Sequence, residues 1–216
     1  MPDPIVEPRR YDNRGRAEQA RLARRRVIDA AHELFLDGGW AATTVAGVAA
    51  RAGVSVETVY KRFGNKASLL QAVHDVRLAG DDEPVPIAER PAIRAMTEEP
   101  DPHRIVERYA ALARDVVERA GPLMSVLLRV RGVDDDLTAF LATVDGERLT
   151  GATGCVSLLA ARNALRPGLD VDEARDVVWA LISPELYDLL VARRGWSLDD
   201  YQDWLTRSLA TTLLVT

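Results

Sequence analysis

The hydrophobic positions of the chain recur mainly at helical spacing. From about Arg16 to Asp37, apolar residues are separated by three, four and seven positions, as they are on one face of an α-helix. The same period returns in two short segments, one after Thr44 and one after Ser55, and in a longer segment that starts near Lys66. The sequence has no stretch with the apolar–polar alternation of a half-buried strand. The pattern therefore predicts an all-α fold of about nine helices.

Glycines and capping residues divide the first part of the chain into four helices. Gly38–Gly39 ends the first helix, because glycine accepts the left-handed conformation that follows a helix. The hydroxyls of Thr43–Thr44 and of Ser55 are suited to cap the N-termini of a second and a third helix. Gly53 separates these two helices, and Gly64–Asn65 ends the third.

The remaining two thirds of the chain are also predicted to be helical. Residues 80–102 are rich in proline and are expected to form a mixed connection. Pro122 is placed at a helix N-terminus, where proline is tolerated, and Pro184 is expected to kink or restart the helix that it interrupts. The acidic run 134–136 is interpreted as a helix start, because carboxylates there complement the helix dipole. The predicted helices lie at about 103–120, 123–132, 135–164, 171–193 and 197–214.

Composition limits the class of protein. The 216 residues are 47% hydrophobic, which is enough for one large or two small domains. No window approaches the apolar length that a membrane span needs, and the first residues lack the apolar core of a secretory signal. Cys155 is the single cysteine, so an internal disulfide is excluded and a reducing compartment is expected. These features predict a cytoplasmic protein that does not bind membranes.

Charge is distributed unevenly along the chain. Residues 1–66 hold twelve Lys and Arg against eight Asp and Glu, a net charge of +4, whereas the remainder holds sixteen against twenty-five, a net charge of −9. A basic end on an acidic body is typical of a chain that presents this end to nucleic acid, although a solvated basic helix face gives a similar count.

The second and third predicted helices, joined by a glycine-containing turn, form a helix-turn-helix unit. In such a unit the second helix enters the major groove of DNA, and its N-terminal side chains reach base edges. Helix N-termini are suited to bind phosphates, while exposed hydroxyl, apolar and charged side chains are suited to contact bases or backbone. The candidate DNA-binding residues are Thr44, Ser55, Val56, Glu57, Thr58, Tyr60, Lys61 and Lys66.

Residues 40–70, WAATTVAGVAARAGVSVETVYKRFGNKASLL, resemble the N-terminal DNA-binding domain of the TetR family of bacterial transcriptional regulators. Positions Ala46, Gly47 and Ala50 depart from it, since they are usually more polar in that family. The resemblance implies a homodimer that binds a near-palindromic double-stranded DNA operator, and whose repression is relieved by a small hydrophobic or amphipathic ligand. The chain then divides into a disordered basic arm at 1–15, a helix-turn-helix domain at 16–66, and a helical ligand-binding and dimerisation domain at 67–216.

The resemblance also implies a ligand pocket among the middle helices and dimerisation through the last two helices. Ordinary core packing is the alternative interpretation for each pocket candidate, and a surface or capping role is the alternative for His103. Each of the two interface stripes could equally be intramolecular core, and for Trp204 and Leu209 the two interpretations are near even. The pocket candidates are His103, Tyr109, Met124, Leu127, Leu128, Phe140, Val144, Leu158, Leu159 and Trp179. The interface candidates are Leu186, Tyr187, Leu190, Trp204, Leu205, Leu209 and Leu213.

A second function remains open at this stage: a DNA-binding dimer that does not respond to ligand, whose C-terminal domain serves only dimerisation or protein partners. A large cavity among the C-terminal helices favours the ligand-responsive regulator, and a fully packed interior favours the alternative. An enzyme is not expected, since the sequence has no Gly-rich phosphate loop and no nucleophile elbow. His32, His74 and His103 fall far apart in the sequence, so no metal or cofactor is predicted, only an unidentified small-molecule effector.

Overall fold

The computed structural model of the chain describes residues 13–215, with side chains from Gly15 onward, and confirms the all-α prediction. In that part of the chain the helices are joined by short turns, and the sole strand-like feature is a single bridge between Leu165 and Leu214. A 3₁₀ turn lies at Ile87–Glu89, and a π-helical segment lies at Asp188–Arg193. The α-helices are α1 (Asn13–Ala42), α2 (Val45–Ala52), α3 (Val56–Phe63), α4 (Lys66–Ala79), α5 (Pro91–Thr97), α6 (Pro102–Leu128), α7 (Asp135–Ala161), α8 (Val171–Leu181), α9 (Pro184–Tyr187) and α10 (Leu198–Leu213).

The first helix differs from its prediction at both ends. It begins at Asn13, whereas residues 1–12 of the predicted basic arm lie outside the described residues. Toward its C-terminus the helix is interrupted at Gly39, where φ is +67° and ψ is −169°. This conformation is accessible to glycine, so the Gly38–Gly39 pair acts as the predicted break and one further helical turn follows it.

The short helices α2 to α4 are set by their caps. The Thr44 hydroxyl accepts a hydrogen bond from the Gly47 N–H at 3.0 Å, and the Ser55 hydroxyl accepts one from the Thr58 N–H at 3.1 Å. Gly53, between the two helices, is left-handed with φ +66°. Each cap satisfies one backbone donor that the first helical turn leaves free. Since caps depend on neighbouring residues, the sequence predicts the bounds of α2 and α3 correctly.

The region around Pro122 was predicted wrongly. Instead of two helices meeting there, α6 runs unbroken from Pro102 to Leu128 with Pro122 in its interior. An interior proline costs about 3 kcal/mol because it removes a hydrogen bond and crowds the preceding turn. Leu123 and Leu127 are fully buried just beyond it. Burial of such side chains stabilises by about 1.5–3 kcal/mol each, so the continuous buried face of α6 offsets the proline.

The C-terminal helices confirm the role of Pro184 but not the length of the element around it. The segment predicted as one helix over 171–193 is divided into α8, α9 and the π-helical segment. Pro184 occupies the first turn of α9, and the Ser183 hydroxyl caps that turn. Before this segment, Asp134 caps α7, so the acidic run at 134–136 is a helix start as predicted. After it, Ser197 caps α10.

Two hydrophobic clusters hold the molecule together. The first combines the buried faces of α1 to α4 with the C-terminal end of α6 and the N-terminal half of α7. The second lies among α5, the rest of α6 and α7, and α8 to α10. Packing therefore continues across residue 66, where the sequence analysis places a domain boundary. Through α6 and α7, the helix-turn-helix unit rests on the same two helices that build the C-terminal body.

Four interface candidates lie instead in the core of one protomer. Leu205, Leu209 and Leu213 on α10 are 0% exposed, in the same buried cluster as the inner face of α6. Tyr187 is also buried, because its ring lies where a Cβ on Gly121 would sit, 2.6 Å from the nearest ring carbons. These four side chains are therefore not available to a partner, and the intramolecular alternative is correct for them.

Candidate DNA-binding surface and ligand cavity

The helix α3 presents one buried and one exposed face. Val59 and Phe63 point into the first hydrophobic cluster, at 1% and 8% exposure. On the other side, Val56 and Tyr60 are 41% and 52% exposed, although both are large and mostly apolar. Exposed apolar side chains rimmed by polar residues often mark a contact surface. Glu57, Thr58 and Lys61 lie on the same exposed side of the helix.

Two of the candidate hydroxyls have structural roles at helix starts. The Ser55 Oγ lies 2.8 Å from the Thr58 Oγ1 as well as capping the Thr58 N–H. Ser55 thus fixes the start of α3, and the Thr58 hydroxyl is already shared with it. At the start of α2, a Cβ on Gly47 would lie 3.2 Å from the Thr44 hydroxyl oxygen. The small residue at 47 therefore leaves that cap uncrowded, which gives one physical reason for its departure from the TetR pattern.

Lys66 is held differently from the other candidates. Its ammonium donates to the carbonyl oxygen of Trp40 and lies 4.0 Å from the centre of the Trp40 ring. Partial burial lowers the pKa of Lys66. Trp40 in turn stacks on Phe35 with the ring centres 6.0 Å apart. Lys66 therefore connects the end of α1 to the start of α4. To bind a DNA phosphate, its ammonium must share or exchange these contacts.

A cavity of about 1200 Å³ lies in the C-terminal body. Its walls are mostly apolar and come from α4, α5, α6, α7 and the connecting segment 81–90. This volume is slightly above the roughly 300–1000 Å³ of typical ligand pockets, so the cavity has room for a small molecule. Cys155 lines it too, and burial raises the pKa of this thiol to about 12, so the thiol stays protonated.

The cavity contains some of the predicted pocket residues and not others. Tyr109, Met124, Val144 and Leu158 line it. The other six do not line the cavity. His103 is exposed at the start of α6, and Leu127 and Phe140 are packed in the first cluster. Helical spacing identifies an inward side chain but does not say which of two cores it enters. The remaining residues outside the lining are Leu128, Leu159 and Trp179.

Trp179 joins α8 to α7. Its indole N–H donates to the Asp145 carbonyl at 3.0 Å, and the Arg148 guanidinium lies 4.9 Å from its ring centre. Arg148 also donates to the Trp179 carbonyl at 2.7 Å. A partly buried Trp whose polar group is satisfied in this way is a packing element.

The segment 81–90, which lines the cavity, is linked to α1 by an ion pair. Arg24 on α1 donates to both carboxylate oxygens of Asp82, at 3.0 and 3.1 Å, and its guanidinium lies 5.3 Å from the ring centre of Phe63 on α3. Arg90 pairs with Asp81 at 2.8 Å, and this hydrogen-bonded pair lowers the pKa of Asp81 to about 2. Arg24 and Asp82 are 58 residues apart in the sequence, so helical spacing carries no signal for their contact.

At the α4–α7 side of the cavity, three ionisable side chains come together. His74 and Asp75 lie on α4, and Glu147 lies on α7. Burial lowers the pKa of His74. Burial and then the neighbouring Asp75 carboxylate raise the pKa of Glu147. Sequence reasoning missed this cluster because Glu147 lies on a different helix, far along the chain.

None of the helices in residues 13–215 is long and apolar enough to cross a membrane.

Comparison with known proteins relates the chain to bacterial transcriptional regulators. Residues 27–73 match the family model described as bacterial regulatory proteins, tetR family. The chain is 28% identical over 166 residues to the uncharacterized HTH-type transcriptional regulator YdeS of Bacillus subtilis, which covers 76% of this chain and 77% of that protein.

Solved structures share the fold. NalD, the secondary repressor of the MexAB-OprM multidrug efflux pump in Pseudomonas aeruginosa, matches with a TM-score of 0.72 and 22% identity, over 91% of this chain and 98% of NalD. The transcriptional regulator FadR from Bacillus subtilis, in complex with stearoyl-CoA, matches with a TM-score of 0.68 and 18% identity, over 86% and 96% of the two chains. On this evidence residues 27–73 form a DNA-binding unit of the type found in the tetR family of bacterial regulatory proteins, and the chain is similar to transcriptional regulators over most of its length.

Proposed function

We propose that the protein is a homodimeric repressor whose operator binding is relieved when a hydrophobic or amphipathic small molecule occupies the cavity. The observation that carries this proposal is the volume and position of the cavity, about 1200 Å³ and bordered by α4. This helix begins three residues after the end of α3. An occupant of the cavity therefore contacts the helix that carries the DNA-binding unit.

Two physical connections support this coupling. Leu69, Leu70 and Val73 on α4 are buried in the core that positions α3, while Leu78 and Ala79 on the same helix line the cavity. A rotation or shift of α4 that accommodates a ligand thus moves the recognition helix as well. A ligand changes DNA affinity only by the difference between its affinities for the two arrangements.

The second connection runs through Arg24. This side chain lines the cavity, pairs with Asp82, which also lines it, and lies over the Phe63 ring at the end of α3. A ligand that displaces the segment 81–90 alters the Arg24–Asp82 pair and, with it, the packing against α3. We infer that this pair contributes to the coupling free energy between the ligand and DNA.

DNA recognition in this proposal uses the exposed side of α3. Val56, Tyr60 and Lys61 contact bases or backbone in the major groove, and Thr44 and Lys66 contact phosphates. A homodimer presents two copies of α3 to half-sites about 34–36 Å apart, which fits a near-palindromic operator. Interface candidates that are only partly buried in one protomer, and so available to a partner, are Leu186, Leu190 and Trp204.

The proposal is tested by measuring DNA affinity with and without a cavity ligand. A DNA duplex is first selected from random sequence by the protein and labelled with a fluorophore. Anisotropy titrations are then run with stearoyl-CoA, the ligand in the similar FadR structure, and with the amphipathic dye 1-anilinonaphthalene-8-sulfonate. We expect a ligand that binds to weaken DNA affinity by about 5–150-fold, the range of typical allosteric coupling.

The ligand-independent dimer is the second candidate, and the same experiment separates the two. Dye fluorescence reports occupation of the cavity independently of DNA. If the dye binds at one site per chain and DNA affinity stays unchanged, the cavity does not regulate DNA binding, and the alternative is correct. The apolar cavity favours the ligand-responsive function, because a domain used only for dimerisation has no need of such a volume.

A further inference from the structure

The cluster formed by His74, Asp75 and Glu147 has the composition of a cation site. The His74 Nδ1 lies 4.0 Å from an Asp75 carboxylate oxygen and 3.9 Å from a Glu147 carboxylate oxygen. One ligand atom from each of the three side chains lies within 4.8 Å of the others. Asp75 and Glu147 are 57% and 40% exposed in their side chains, so both carboxylates are free to move closer.

His74 supplies an independent observation. Its side chain is only 5% exposed, and its buried Nδ1 has no hydrogen-bond partner among the described residues. Buried polar atoms are nearly always paired, since leaving one unpaired costs about 1–3 kcal/mol. Around this nitrogen the nearby charged atoms are carboxylate oxygens, which accept hydrogen bonds but do not donate them when ionised. In the tautomer with the proton on Nε2, the Nδ1 lone pair and the two carboxylates lie within 4.8 Å of one another, and this set of donor atoms suits a cation.

Gln71 already occupies part of this arrangement. Its side-chain amide donates to Asp75 at 2.7 Å and to Glu147 at 3.3 Å. Gln71, His74 and Asp75 are on neighbouring turns of α4, so one face of that helix points all three toward α7. The amide N–H₂ thus bridges two carboxylates that otherwise repel each other, but it leaves the His74 nitrogen without a partner.

We propose that His74, Asp75 and Glu147 bind a divalent transition-metal ion, of which Zn²⁺ is the representative, with a water molecule as a fourth ligand. Imidazole nitrogen suits Zn²⁺ and similar first-row ions, and carboxylate oxygen completes many such sites. Typical metal–ligand distances of about 2.0–2.2 Å are reached by small rotations of the two exposed carboxylates. The ion fastens α4 to α7 at the edge of the cavity.

The metal site is tested on the full-length protein after treatment with EDTA and dialysis. Isothermal titration with ZnCl₂ measures stoichiometry and affinity, and titration with Co²⁺ reports coordination geometry through visible absorption. We expect one ion per chain. Asp75→Asn and Glu147→Gln should each weaken binding at least about tenfold. Circular dichroism verifies that both variants, which change exposed carboxylates, remain folded.

A matched control is Glu107→Gln, an exposed carboxylate on α6 away from the cluster. It should bind Zn²⁺ like the unchanged protein. The proposal is overturned if Zn²⁺ and Co²⁺ do not bind stoichiometrically, or if the cluster variants bind as well as the control. Binding of choline without binding of either metal also overturns it, since the cluster then serves an organic cation. The titration requires neither DNA nor effector, so its result is independent of the proposed repressor function.

Discussion

Two glycines on α7 allow the free space inside the cavity to be tested without knowledge of the ligand. A Cβ built on Gly154 or on Gly146 meets no atom within 4 Å. Gly154 lines the cavity, whereas Gly146 does not. Replacing either glycine by leucine removes a helix-interior glycine, which stabilises by about 0.8 kcal/mol in both cases. The two substitutions therefore differ mainly in what the new side chain contacts.

At position 154 the leucine enters the cavity and covers part of its apolar wall. Full burial of a leucine side chain stabilises by about 1.5–3 kcal/mol, and partial burial in an open cavity by about 1 kcal/mol. Gly154→Leu should thus exceed Gly146→Leu by about 1 kcal/mol, which corresponds to roughly 2–4 °C in Tm for a chain of this size. Thermal unfolding is followed by circular dichroism at one fixed protein concentration, since subunit association also shifts Tm.

The paired variants also separate cavity binding from stability. Gly154→Leu should reduce binding of 1-anilinonaphthalene-8-sulfonate, and Gly146→Leu should leave it unchanged. A Tm for Gly154→Leu below that of Gly146→Leu would refute the reasoning, because it would mean that the space beside Gly154 is already filled. Equal dye binding by both variants would place the dye outside the cavity.

Three further predictions follow from specific contacts. Asp82→Asn should reduce the coupling free energy between ligand and DNA by about 0.5–2 kcal/mol in anisotropy titrations, because it weakens the ion pair with Arg24. An unchanged ligand effect would show that the Arg24–Asp82 pair does not contribute to this coupling. Leu209→Ala should lower the free energy of unfolding, measured in urea, by about 2–5 kcal/mol. The control Leu189→Ala, at a side chain that is 47% exposed, should change it by less than about 1 kcal/mol. Similar losses in both variants would contradict the burial of Leu209 in the core. Burial lowers the pKa of His32 to about 4, so the unfolded state binds the proton first and stability should fall as pH drops from about 6.5 toward 4. Urea midpoints at pH 7.5 and 5 should differ more in the unchanged protein than in His32→Gln.

The sequence was most informative where structure depends on neighbouring residues. The caps at Thr44 and Ser55 and the left-handed Gly53 fix α2 and α3, and all three are visible in a window of twelve residues. The helical period after Ser55 also agrees with the burial of Val59 and Phe63 on α3. Local sequence is therefore enough to predict which side of α3 is buried and which is exposed.

The sequence was least informative where distant segments compete for the same side chain. Pro122 looked like a boundary, yet tertiary burial along α6 outweighs its local cost. Leu209 showed an apolar spacing that suits a dimer interface and a protomer core equally, and only the packing of α10 against α6 decides between them. The cluster of His74 with Glu147 depends on the approach of α4 and α7, for which periodicity carries no signal.

The central claim is that the exposed side of α3 reads DNA sequence. Fluorescence anisotropy with a selected palindromic duplex and a scrambled duplex of the same length tests it most directly, across a salt series. We predict tight binding of two protomers to the palindrome, at least about a thousandfold tighter than to the scrambled duplex, and clear weakening by Tyr60→Ala without a change in Tm. Equal affinity for both duplexes, or an unchanged affinity in Tyr60→Ala, would contradict the account.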